Sequence, residues 1–144
     1  MRYIKYILVS ISLISIFITG CAILTENEDM KIEVSKRIND ENNYEDFKVV
    51  TNNEQVQKAS EIIDNIDWEK AKVDMARTAD YNFSFQYKNP EIEAKSALFE
   101  LWISPNKDKV ELVIDAESKY AKLNQDKSTE LYEIITGEKL SDQK

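Results

Sequence analysis

The chain has 144 residues, with 27 Asp+Glu against 19 Lys+Arg, no histidine, one cysteine, two glycines and two prolines. One cysteine excludes a disulfide-rich scaffold, and the missing histidine excludes both a Cys/His zinc module and an imidazole base. The formal charge of −8 argues against a nucleic-acid partner, while 42% hydrophobic content over this length suits one domain with its own core.

Met1 to Tyr6 form a short basic start carrying Arg2 and Lys5, and Ile7 to Ile18 are apolar apart from Ser10, Ser12 and Ser15. Those 12 residues would span about 18 Å as a helix, well short of a ~30 Å hydrocarbon core. The layout is that of a signal peptide. Ile18-Thr19-Gly20-Cys21 resembles the lipobox of bacterial lipoproteins. The resemblance implies cleavage between Gly20 and Cys21 and a diacylglycerol on the Cys21 sulfur. An uncleaved anchor from Ile4 to Leu24, or a cysteine with no role beside a cleavage site, stay open as alternatives. All three place the protein on the extracytoplasmic face of the cell membrane. The expected division is a signal peptide over 1–20, a tether over 21–30 and a folded domain over 31–144. With Arg2 and Lys5 set aside, 17 basic and 27 acidic residues remain, so the segment from Cys21 onward carries −10. An anionic lipid surface repels such a domain, and the anchor has to hold it there.

In the domain, Met30 to Val34 alternate apolar and charged residues, the pattern of a half-buried strand. Asn39 to Asp46 read as an acidic, turn-rich loop lacking the glycine and alternating oxygen ligands of a calcium-binding loop. Phe47 to Val50 read as a strand. A helix follows, capped by Asn52 with Gln55 in the capping-box position, burying Val56, Ala59, Ile62, Ile63 and Ile66. Trp68 to Met75 read as another strand.

Tyr81 to Tyr87 place four aromatics on one face at period two. That row suits a core face better than a stacking platform for bases, given the charge. Leu98 to Ile103 are apolar on both faces but for Glu100, as in a central strand. The stretch Ser104-Pro105-Asn106-Lys107-Asp108-Lys109 reads as a hairpin turn into Val110 to Ile114. Lys119 to Leu123 alternate as a last strand. A second helix, opened near Asn124, buries Leu131, Ile134 and Ile135 and stops at Gly137. The expected fold is α+β: one antiparallel sheet of about five to seven strands with two helices on one face, preceded by the N-terminal signal or anchor helix.

The sequence offers little recognisable chemistry. Ser-x-x-Lys occurs at Ser104–Lys107 and Ser141–Lys144, in a hairpin turn and at the terminus, neither of which opens a helix as that catalytic motif requires. Glu130 with Glu133, and Asp64 with Asp67, read as solvated helix faces or ends. No phosphate loop is possible with so few glycines, and no cofactor or metal is implied.

Trp68, Met75-Ala76-Arg77, Asp80-Tyr81, Leu101-Trp102-Ile103-Ser104, Lys119-Tyr120-Ala121 and Leu131 to Gly137 together resemble the YhfM-like domain of small extracytoplasmic proteins from low-GC Gram-positive bacteria. The resemblance covers roughly residues 47–137 and implies a compartment and a fold, with no catalytic residue to carry over. The expectation is therefore a non-catalytic lipoprotein, held to membrane lipid through Cys21. It would act as an interaction or accessory module toward an envelope protein or peptidoglycan. The alternatives are a small-ligand or cation binder using the carboxylates around 39–46, and a minor cell-wall hydrolase. A pocket holding a buried lysine, or a glutamate with raised proton affinity, would favour the last.

Overall fold

The computed structural model describes residues 29–93 and 96–143. The signal segment, Cys21 and Lys144 lie outside the described residues. The elements are β1 (Met30–Arg37), β2 (Tyr44–Val50), α1 (Asn53–Asp64), β3 (Glu69–Lys70), β4 (Tyr81–Tyr87), β5 (Phe99–Ile103), β6 (Val110–Ile114), β7 (Lys119–Lys122) and α2 (Gln125–Thr136). All seven strands belong to one sheet in the order β2-β1-β4-β5-β6-β7-β3, and every pairing is antiparallel. The α+β expectation is met in class, in the two helices and in the strand number.

Period-two alternation gives each strand an inner face beneath the helices. Ile32, Val34, Tyr81, Phe83, Leu101, Val110, Leu112 and Ala121 are buried there against Val56, Ala59, Leu131, Tyr132 and Ile135. Of the aromatic row of β4, Tyr81 and Phe83 are in this core and Phe85 packs against it partly buried. Phe83 stacks on Phe99 at 4.9 Å, and Tyr81 meets Phe47 and Tyr132 edge-on at 5.6 and 5.8 Å. Such geometry adds about 1 kcal/mol per pair beyond the area buried.

The helix ends follow their capping residues. Asn52 accepts from the Gln55 backbone N–H and Asn124 from that of Lys127. Gly137 ends α2 with φ +76°, a left-handed position that a Cβ disfavours. Lys58 of α1 is ion-paired to Glu130 of α2, tying the helices together across their solvent side. Ser128, fully buried on α2, accepts from the Val110 N–H and donates to the Leu123 carbonyl, serving two backbone groups between elements.

Two expectations are corrected. The strand read over Trp68 to Met75 shrinks to Glu69–Lys70, which pairs with β7 at the far edge of the sheet. The chain has to return from that edge to β4 in the interior of the sheet, and 71–80 make the crossing as irregular backbone over the outer face. Met75 and Ala79 pack there on Trp102 and Val113. Their apolar spacing served that cover, not a ladder. The loop read over Asn39 to Asp46 is also shorter, because Tyr44 to Asp46 already pair with β1. The Tyr44 hydroxyl donates to the Ala79 carbonyl at 3.0 Å and pins the start of β2.

Candidate functional site

At one end of the sheet β1 finishes, β4 begins and β5 turns into its hairpin. Asp80 stands at this junction with its side chain 16% exposed. One carboxylate oxygen accepts from Arg77 Nη1 at 2.6 Å and Arg37 Nη2 at 3.2 Å. The other accepts from Arg77 Nη2 at 2.8 Å and the Ile103 backbone N–H at 2.7 Å. Arg77 also donates to the Ile103 carbonyl, and the Trp102 indole donates to the Arg77 carbonyl. The Asp80 carboxylate in turn holds the Arg77 guanidinium more firmly protonated than usual. These bonds join segment 71–80 to β1 and β5, fixing an irregular stretch with few ladder bonds of its own.

A cleft of about 310 Å³ opens beside this hub. Lys36, Arg37, Arg77 and Lys107 line it with a single carboxylate, Asp80, among them. Lys36 sits over the rings of Phe47 and Tyr81, 5.1 and 5.6 Å from their centroids. Lys107 occupies the hairpin turn at φ +58°.

On the outer face, a second and more open groove of about 520 Å³ is lined by Met75, Arg77, Glu100, Trp102, Val113 and Asp115 among others. Partial burial raises the Glu100 pKa above the usual carboxylate value, with the Asp115 charge adding to it. Asn82 lies directly opposite Glu100 across β4 and β5, and its buried Oδ1 has no hydrogen-bond partner among the described residues. Directly opposed residues bring their Cβ atoms to about 5 Å, within reach of a side-chain hydrogen bond.

The residues singled out in the sequence fare differently. The Ser104 hydroxyl donates to Asp108 and accepts from the Lys109 N–H, with no hydrogen bond to the Lys107 ammonium. The Ser141 hydroxyl donates to its neighbour Asp142. Glu130 is taken by Lys58, and Asp64 and Asp67 are exposed. In the acidic loop Asn39, Glu41 and Asn43 bond one another. Among the described residues no three metal-ligating side chains converge. No described helix is long and apolar enough to cross a membrane.

The hub and Glu100 were not foreseen as sites. Arg37, Asp80 and Ile103 are far apart in sequence, and each taken alone reads as an ordinary surface or strand residue. The one local signal was the opposite-charge pair Arg77 and Asp80, three residues apart, which are ion-paired here.

The fold and its grooves define an α+β protein with a single antiparallel sheet, and one solved structure shares that architecture. It is described as a thioesterase-like protein from Clostridium sporogenes, 15% identical, with a TM-score of 0.51 over 73% of this chain and 92% of that one. No family model and no curated protein matches the chain. The structural likeness overturns the expectation that the chain is not an enzyme, which rested on missing histidine and unpaired motifs. The same framework occurs in a protein described as thioesterase-like. At 15% identity the likeness shows the fold alone and assigns no residue a role.

Proposed function

We propose that the chain is a lipid-anchored protein of the extracytoplasmic face of the cell membrane, presenting its α+β domain as an interaction or accessory module at the envelope. The observation that carries this reading is Ile18-Thr19-Gly20-Cys21 closing a short apolar segment with a basic start. The resemblance to the YhfM-like domain points the same way. Two acyl chains on Cys21 give stable anchoring where a single chain would not. The eight residues from Ala22 to Asp29 can extend at most about 28 Å, so the domain stays close to the lipid surface. Acyl labelling of the expressed protein tests the anchor. The natural chain takes label and is processed, while Cys21→Ser takes none and accumulates as precursor. Labelling of Cys21→Ser would refute the assignment. Crosslinking from membranes tests the partner, since an interaction module must enrich an envelope component over an inert lipoprotein.

A second reading, hydrolysis of an ester or thioester, is favoured by one specific observation. Glu100 combines raised proton affinity with a groove walled by Met75, Trp102 and Val113. In this reading the Glu100 carboxylate takes a proton from water as the water oxygen attacks the carbonyl carbon, and the bond to the alcohol or thiol then breaks as that leaving group takes the proton back from Glu100. Turnover of a thioester panel that Glu100→Gln abolishes would support it. Turnover unchanged by Glu100→Gln, or none with any substrate, would remove it.

A further inference from the structure

We infer that the cleft beside Asp80 is a binding site for a small ligand bearing an oxyanion, a phosphate or a carboxylate. The charge distribution carries the inference. The chain has eight more acids than bases, yet the cleft lining has four cations and one carboxylate. A cluster of one sign against the charge of the whole domain concentrates field in the cleft and draws in ions of opposite sign.

The hydrogen-bonding state of each cation decides what is left for a ligand. Arg77 is committed, with its two Nη atoms making four bonds, to Asp80, Ile103 and Thr78. Arg37 bonds Thr78 Oγ1 and Asp80, and its further acid, Asp40, is 3.8 Å away and fully exposed to solvent. A guanidinium has five N–H groups, so Arg37 retains donors. Lys36 and Lys107 are both half-buried. Among the described residues neither ammonium group lies within 4.0 Å of a carboxylate. Ammonium groups gathered in a cleft of like charge are favoured by an oxyanion that accepts from them. Asp80 stays in place as the group that positions both arginines.

Size narrows the ligand. A cleft of about 310 Å³ is at the lower end of small-molecule sites. It suits a compact anion, or one anionic end of a larger molecule. The site does not depend on acylation of Cys21, so its test is separate from that of the anchor.

The test is calorimetric titration of the full detergent-solubilised chain with inorganic phosphate and, in a second arm, with succinate. Saturable binding of at least one anion is expected, weakening as chloride is raised. The arm that binds more tightly identifies the oxyanion. Lys107→Gly removes one cation and keeps the left-handed turn, and Arg37→Gln removes another. Each should weaken binding about tenfold, as loss of one charged hydrogen bond does. Lys70→Ala, on the edge strand β3 remote from the cleft, should leave it unchanged. Absence of saturable heat with both anions up to about 10 mM would overturn the assignment. So would equal weakening by Lys70→Ala, or an affinity untouched by Lys107→Gly and Arg37→Gln.

Discussion

Replacing Asp80 with asparagine tests the junction in a way that preserves its shape. Asp80 offers only acceptors, and all four of its partners are donors: Arg77 twice, Arg37 once and the Ile103 N–H once. An asparagine presents one oxygen and one NH₂. In one orientation the NH₂ meets Arg77 Nη1 and Arg37; in the other it meets Arg77 Nη2 and the Ile103 N–H. Either way two bonds are lost with donors facing donors, and the two that remain become neutral acceptors for charged groups. Charge-assisted bonds contribute about 1.5–3 kcal/mol each, and the arginines are partly solvated, with side chains 21% and 44% exposed. The expected loss is about 3 kcal/mol, close to the low end for breaking a buried pair. For a domain of this size that lowers Tm by about 10 °C. Urea unfolding followed by circular dichroism measures it, and a cycle with Arg77→Met should return a coupling above about 1 kcal/mol. A loss below about 1 kcal/mol, the value of an exposed surface pair, would refute the reasoning.

Three further outcomes follow from the structure. Glu100 has a raised pKa, so the folded state holds its proton more tightly than the unfolded chain, and stability falls as pH rises through that pKa. Glu100→Gln, which cannot ionise, should therefore melt higher than the natural chain at neutral pH, with the advantage vanishing at pH values well below the ordinary carboxylate pKa of 4.5. Equal melting at both pH values would disprove this account. Tyr132→Phe removes one member of the buried Tyr81–Tyr132 hydroxyl pair and leaves the other hydroxyl unpaired, at a cost of about 1–2 kcal/mol by chemical denaturation. Gly137→Ala puts a Cβ at φ +76° and 2.9 Å from Lys48 Nζ, which can swing aside, so the cost should be about 1 kcal/mol from the backbone alone.

The sequence by itself determined what local physics determines. Tyr81–Tyr87 is a strand at the boundaries its alternation marks, Val110–Ile114 pairs with β5 through the turn that Pro105 and Asn106 announce, and both helices begin after their asparagine caps. Period, capping and turn chemistry act over a few residues and need no partner. The lipobox-like ending at Cys21 is equally a matter of adjacent residues, and it remains a reading of sequence. What only the tertiary structure decided depends on contacts between distant segments. Val73 and Met75 alternate like a strand, yet β3 lies at the far edge of the sheet and leaves Met75 to cover Trp102 and Val113 on the way back. Arg37, Asp80 and Lys107 belong to a strand end, a crossing segment and a hairpin turn, and become one charged cleft only when those three meet. Glu100 is an exception within an apolar strand until the fold sets it opposite Asn82 and near Asp115. Burial and charge environment are properties of the assembled sheet, and no spacing along the chain encodes them.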